Sequence, residues 1–374
     1  MEYTADDVLR VARRHNNGKR SYLLVNPLQG KHMPVSPSLA LDMMQALGAK
    51  VAKAVPHARL VIGFAETATA IGAVVAKSLA DSCLYVQTTR ETLPAAAHAI
   101  EFMEEHSHAP EQRIAAAALE AHLAETEAVV FVDDELSTGR TLLNIIDQLK
   151  AALPALAGKK IIAASVINRL TAKRRERLFA AGVECVFLVG LAQGDYEAQA
   201  AAFPTQGAAG TEALSPGASC RTVALSRRAT PRMGLPIGDY MAFWRAAGES
   251  FAAEIDWAKD ESILVLGTEE CMLPGLLIGK VLEDEGWESV AFHATTRSPI
   301  GISEASGYPI AAGRQVKSFY GDARRTYIYN LRPYRHVVVV SDTAHEAREA
   351  LESLLRVLRE AGCKDVLYLM SRES

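Results

Sequence analysis

The chain lacks any Cys-x-x-Cys pair: its five cysteines, Cys83, Cys185, Cys220, Cys271 and Cys363, are scattered and odd in number. That spacing excludes the common structural zinc modules and a secreted disulfide framework. No apolar run approaches the roughly 18 residues that suggest a membrane-spanning helix. A basic excess is absent too, since 40 Lys and Arg face 44 Asp and Glu for a net charge of −4, which leaves no electrostatic footprint for nucleic acid. The N-terminus, from Met1 to Asp7, is polar and acidic, unlike a signal peptide. What remains is a cytoplasmic α/β protein. Its 374 residues, 49% of them hydrophobic, suffice for two domains with real cores.

One stretch carries most of the chemistry. Val129–Val132 reads as a buried parallel strand. Asp133 and Asp134 follow at its carboxyl end, where open α/β sheets place ligands. Ser137, Thr138 and Gly139 then make a small-residue turn into a helix marked by Leu142, Leu143, Ile145, Ile146 and Leu149. A turn entering a helix N-terminus aims several backbone N–H groups one way, forming an anion cradle. Gly139 permits close approach of a phosphate, and Thr138 and Thr141 add hydroxyl donors. The two carboxylates repel phosphate but suit a ribose diol, so the whole stretch describes a ribose 5-phosphate site. No Lys follows the glycine, which excludes a Walker loop.

Further elements are expected around it. Residues 21–25 form a short strand leading into 26–37, a loop with three prolines, Lys31 and His32. This loop reads either as a substrate-facing cover or as a rigid connector. A helix over Pro37 to Val55 and a strand at Leu60–Gly63 precede a second small-residue turn containing Ala65, Glu66 and Thr67. The strand from Leu84 ends in Thr88, Thr89 and Arg90, a planar guanidinium suited to pyrophosphate. Residues 91–125 include His106 and His108, which suit acid–base work or contact with a metal-bound phosphate, or are simply solvated. Strands over 160–168 and 185–190 flank a helix over 171–181 whose basic run is a solvated face. Alternating strands and helices make a doubly wound parallel sheet. The Gly-, Ala-, Ser- and Pro-rich stretch 192–236 reads as an extended connection whose end, from Arg232, docks on the active site. The expected organisation is 1–191, a linker and docking segment at 192–240, and a second domain at 241–374.

That second domain repeats the first in weakened form. Ile263–Gly267 echoes Leu60–Gly63, Thr295–Arg297 echoes Thr88–Arg90, and His336–Asp342 echoes Val129–Asp133, in the same order. After Asp342 there is neither an adjacent acid nor a Thr-Gly-x-Thr turn. The echo therefore predicts a degenerate α/β domain without its own 5-phosphate cradle. Its strand end at Thr296, Arg297 and Ser298 is a candidate site for an acidic or phosphorylated acceptor, or else a loop-stabilising contact.

Asp133-Asp134 with Ser137–Thr141 resembles the donor loop of type I phosphoribosyltransferases. Together with Asn26-Pro27, Glu105–His108 and the Thr296–Pro299 signature, it resembles the tellurium-resistance-associated branch that carries a C-terminal TRSP domain. The resemblance implies transfer of a phosphoribosyl group from phosphoribosyl pyrophosphate to a base-like acceptor in the synthesis of a nucleoside-like metabolite. It implies that Ser137, Thr138, Gly139, Arg140 and Thr141 hold the 5-phosphate, with Glu135 and Leu136 among the substrate contacts, that Ala65, Glu66 and Thr67 meet the pyrophosphate, and that 91–125 holds a flap. Glu66 stands where the family often has a basic residue. Asp133, Asp134, Arg90, His106 and His108 are the candidate catalytic residues; Thr88, Thr89, Lys31 and His32 join the substrate contacts. Mg²⁺ is expected, held mainly by the ligand's pyrophosphate rather than by a protein cage, and a homodimer is a candidate assembly. The alternatives are the reverse, phosphorolytic reaction and a regulator that senses the donor without turning it over.

Overall fold

The structure, a computed structural model, describes residues 2–15, 20–102, 112–217, 219–225, 230–321, 324–343 and 347–371. The chain packs into two compact units that interleave along the sequence. The first comprises Met1–Ala5, Asp42–Gln193 and Ala229–Ala242; the second comprises Asp6–Leu41, Gly194–Arg228 and Phe243–Ser374.

Four-residue runs such as Leu-Val-Ile-Gly have no polar face, so they can only be buried on both sides, and this is how the first sheet is built. Its parallel strands are β1 (Leu60–Gly63), β2 (Leu84–Gln87), β3 (Ala128–Leu136), β4 (Lys160–Asn168) and β5 (Val183–Gly190). They lie in the order β2-β1-β3-β4-β5, with Leu235–Pro236 added antiparallel outside β2. Helices α1 (Thr69–Leu79) and α2 (Arg140–Ala152) follow β1 and β3. On α2 the apolar positions Leu142, Ile145, Ile146 and Leu149 are buried, the stripe that helical spacing requires. They join Ile62, Phe131, Ile161 and Leu178 in one core, each large apolar side chain contributing about 1.5–3 kcal/mol by burial. Strand order reverses between β1 and β3, and there the carboxyl ends of parallel strands leave a crevice for a ligand.

The second sheet holds β6 (Cys220–Leu225), β7 (Ile263–Gly267), β8 (Val290–Ala294), β9 (His336–Ser341) and β10 (Asp365–Ser371) in the order β6-β10-β9-β7-β8, all parallel. Helix α3 (Met272–Asp284) packs on it, and α4 (Arg348–Glu360) packs against Gly313–Lys317 and shares a core with Val337, Val339 and Val366. Strands β8-β7-β9-β10 repeat the order β2-β1-β3-β4, so the second unit is an α/β fold of the same topology. The ladders align the two copies residue by residue. Gly63 faces Val132 and Gln87, while Gly267 faces Val340 and Ala294. Thr88-Thr89-Arg90 thus corresponds to Thr295-Thr296-Arg297. Ser341, not Asp342, occupies the place of Asp133, and Asp342 occupies that of Asp134. The sequence echo, which matched aspartate to aspartate, is one residue out of register.

The hairpins correspond as well. Ala99–Phe102 pairs with Gln112–Ala115, and Gly313–Lys317 pairs with Arg325–Tyr329. Thr89 bridges Arg113 in the first unit as Thr296 bridges Tyr327 in the second. Within 91–125 the sequence also contains a helix, Ala116–Leu123, that its all-alanine opening did not reveal.

Segment 192–236 is not one extended connection. Gln206 bridges Ile302 and β6 completes the second sheet, whereas Pro231–Met233 and Leu235–Pro236 belong to the first unit. Such short pieces, Cys220–Leu225, Pro231–Met233 and Leu235–Pro236, carry too little hydrophobic periodicity to be read as structure. The N-terminal hairpin Arg10–Arg13/Tyr22–Val25 likewise sits in the second unit, where Ala12, Leu23 and Val25 pack with Ile300 and Tyr329. No helix among the described residues is long and apolar enough to cross a membrane.

Candidate active site

The strand carrying the acids is longer than the apolar run that announces it. β4 is itself a nine-residue strand, so Asp133 and Glu135 are paired in the ladder, with Ser165 and Ile167. Asp134 accepts a hydrogen bond at Oδ1 from the Thr67 hydroxyl at 3.0 Å, which ties the loop after β1 to the end of β3. Glu135 accepts from Arg169 Nη1 at 2.9 Å, an ion pair on the β4 side. Glu135, expected as a substrate contact, is thus engaged with a neighbouring cation.

Asp133 and Asp134 are half-buried and adjacent. Withdrawal from water and the Asp134 charge push the Asp133 carboxyl well above the usual carboxylate range. Withdrawal from water, with a contribution from Glu135, raises Asp134 as well, and the Asp133 and Thr67 hydrogen bonds oppose that rise. Such a pair is poised to accept hydrogen bonds from hydroxyls, or to share a proton or a cation.

The turn that follows is built around Gly139. Its φ is +72°, and a β-carbon there would lie 2.7 Å from Leu178 Cδ1. Only glycine satisfies both conditions. Gly139 caps α2 with no side-chain hydrogen bond, and Thr138 Oγ1 accepts from the Arg140 N–H at 3.3 Å. Arg140 and Thr141 are exposed, and Ser137 and Thr138 are half-buried. The thirteen-residue helix directs its N-terminal amides into this turn, as an oxyanion cradle requires.

The turn after β1 is fixed from the neighbouring strand. Thr88, fully buried, accepts from the Ala65 N–H at 2.8 Å and donates to Gln112 Oε1 at 2.5 Å. Thr89 is paired through its backbone with Arg113. The two threonines, expected as substrate contacts, hold the loop of Ala65, Glu66 and Thr67 and the hairpin base in place. The Ala65–Glu66 peptide is cis, and Glu66 is buried. Arg90 is exposed at the end of this strand. A second cation stands close by: Arg232, 7% exposed, donates from Nε to Thr89 Oγ1 at 3.3 Å. Sequence reading placed the start of the docking segment here but assigned Arg232 no role; a lone arginine in a Pro- and Gly-rich stretch carries no periodic signal.

Other expected residues fall elsewhere. His106 and His108 lie outside the described residues. Lys31 and His32 are part of the second unit, where both are buried; Lys31 Nζ donates to the carbonyls of Glu269 and Thr295, each at 3.3 Å. Thr296, Arg297 and Ser298 follow β8, which ends at Ala294. There Thr296 is locked to Tyr327, Arg297 Nε donates to Glu269 Oε2 at 2.8 Å, and the Ser298 carbonyl accepts from the Tyr329 hydroxyl.

A doubly wound sheet with paired acids and a glycine-turned helix N-terminus at its switch point defines a nucleotide- or sugar-phosphate-handling α/β enzyme. The chain matches the phosphoribosyl transferase family over residues 8–194 and the TRSP domain that lies C-terminal to it over residues 229–358. It belongs to that phosphoribosyl transferase family, and its enzyme class is phosphoribosyltransferase. No curated protein matches it. Similar solved structures include orotate phosphoribosyltransferase from Aeropyrum pernix, at 20% identity over 50% of this chain and 89% of that one, TM-score 0.33. Another is the Giardia lamblia APRTase complexed with 9-deazaadenine, at 21% identity over 50% and 97%, TM-score 0.36. Adenine phosphoribosyl transferase from Trypanosoma brucei is 15% identical over 49% and 76%, TM-score 0.33.

Proposed function

We propose that the first unit transfers a phosphoribosyl group from phosphoribosyl pyrophosphate to a nitrogenous base-like acceptor, releasing pyrophosphate. The observation that carries this reading is the conjunction, at one switch point, of the Asp133–Asp134 pair with the Gly139 turn at the N-terminus of α2. The turn amides with Thr138 and Thr141 hold the 5-phosphate. Asp133 and Asp134 accept from the ribose 2′ and 3′ hydroxyls, with Thr67 orienting Asp134. The Ala65–Thr67 backbone, set by Thr88, and the guanidiniums of Arg90 and Arg232 face the pyrophosphate.

The bond from C1 of the ribose to pyrophosphate breaks as the acceptor nitrogen bonds to C1. Positive charge develops on the ring, and the nearby carboxylates stabilise it. The acceptor's proton leaves to solvent or to a group near the flap, the position in which His106 and His108 were expected.

Among the described residues no group of three or more His, Cys, Asp or Glu side chains forms a metal cage. The adjacent carboxylates, with their raised proton affinity, nevertheless fit a divalent cation held chiefly by the ligand. Mg²⁺ would neutralise charge on the leaving pyrophosphate. A role in nucleoside-like metabolite synthesis belongs to this reading by family resemblance, a cytoplasmic setting belongs to it by composition, and a homodimer is its candidate assembly.

The test is product formation from radiolabelled phosphoribosyl pyrophosphate with a panel of purine, pyrimidine and related bases. Base-dependent pyrophosphate release supports transfer. Donor binding with no turnover on any base would favour a donor-sensing role.

A further inference from the structure

The second unit repeats the first unit's switch point, and the places of a donor's functional groups are filled there by the protein itself. Ala65 and Glu269 are equivalent: the Ala65 N–H donates to Thr88 Oγ1 at 2.8 Å, and the Glu269 N–H donates to Thr295 Oγ1 at 3.0 Å. Two residues beyond those threonines stand Arg90 and Arg297. In the second unit the loop residue carries a carboxylate where the first has a methyl group. Glu269 is fully buried. Its Oε2 accepts from Arg297 Nε at 2.8 Å, and its Oε1 accepts from the Ser318 hydroxyl at 2.7 Å and the Phe319 N–H at 3.0 Å. A guanidinium, a hydroxyl and a backbone amide converging on one anion are the donors that protein sites use for a phosphoryl group.

The retained acid is likewise satisfied from within. Asp342, at the place of Asp134, accepts from the Tyr320 hydroxyl, as Asp134 would accept from a ribose hydroxyl. The backbone reflects the cost of this arrangement. Glu269 sits at φ +48°, in the left-handed region that a residue with a β-carbon adopts only when its surroundings hold it there.

We propose that the Glu269 carboxylate is a built-in occupant of an oxyanion site in the second unit, so that each chain offers one phosphoribosyl site although it carries the switch point twice. The site recognises a single phosphoryl or similar oxyanion through Arg297, Ser318 and the Phe319 amide, and opens only when the carboxylate is removed. This inference rests on the second unit's own geometry and stands apart from which acceptor the first unit uses.

The experiment is calorimetric titration of inorganic phosphate into the wild-type chain and into Glu269→Gly, Glu269→Gln and Glu269→Gly/Arg297→Ala variants. Glycine suits the positive φ and removes the carboxylate, so Glu269→Gly should gain one phosphate per chain relative to wild type, whatever number the wild type shows. Glu269→Gln keeps an oxygen in place and should gain none; the double variant should lose the gained site. If Glu269→Gly is unfolded in plain buffer, phosphate should restore its folding, and should fail to do so in the double variant. A folded Glu269→Gly chain with no added site, a gained site that persists without Arg297, or an unfolded variant indifferent to phosphate would overturn the proposal.

Discussion

The Thr67 hydroxyl donates to Asp134 Oδ1 at 3.0 Å, joining the loop after β1 to the end of β3 across the switch point of the first sheet. The loop proposed to meet the pyrophosphate and the acids proposed to meet the ribose are thereby parts of one hydrogen-bonded frame. Asp134 in turn lies beside Asp133, whose Oδ1 accepts from the Asp134 N–H at 2.9 Å. Disturbance at either side should therefore be felt through this frame.

The acid pair should trade stability for binding. An unfolded aspartate titrates at about 3.9, and the folded Asp133 titrates well above that. The folded chain thus holds a proton that the unfolded chain has lost, so stability should fall as pH rises from about 4 through the folded value. Asp133→Asn should flatten this profile and raise the urea midpoint of the ligand-free protein at pH 7. A midpoint that drops, or an unchanged pH profile, would contradict the origin assigned to the shift.

Gly139→Ala should damage both fold and site. A left-handed non-glycine residue costs about 1–2 kcal/mol, and the new methyl would meet Leu178 Cδ1 at 2.7 Å. Thermal unfolding should show the loss, and ribose 5-phosphate titration should show weakened binding.

Thr88→Val separates the two ends of the donor. Losing the hydrogen bond to the Ala65 N–H removes about 1 kcal/mol, so pyrophosphate binding should weaken about 5-fold while ribose 5-phosphate binding stays near wild type. Equal losses for both ligands would show that Thr88 acts on the unit as a whole.

Arg297→Ala leaves a fully buried carboxylate without its guanidinium. Such a change costs about 3–5 kcal/mol, while donor affinity at the first unit should hold. Adding Glu269→Gln should recover most of the stability, since it removes the uncompensated charge. Chemical denaturation of the single and double variants checks this.

Much of the fold was legible in the sequence because parallel strands and glycine turns into helices leave local marks. Val129–Val132, Asp133-Asp134 and Gly139 announce themselves by composition and spacing, and the repeat around Thr295–Arg297 does so by order. Interactions closed over long separations left no such mark. Arg232 meets Thr89 from far along the chain, Lys31 is buried beneath Glu269 and Thr295, and Glu269 finds Ser318 across a hairpin. The one-residue offset between Asp342 and Asp133 is set by strand register, which residue identity does not encode.

The most direct measurement is calorimetric titration of phosphoribosyl pyrophosphate with Mg²⁺ into the wild-type chain and the Asp133→Asn/Asp134→Asn variant. Charge-assisted hydrogen bonds contribute about 1.5–3 kcal/mol each, so the variant should bind at least about 10-fold more weakly. Unchanged donor affinity in a folded Asp133→Asn/Asp134→Asn chain would contradict a phosphoribosyl site at the end of β3.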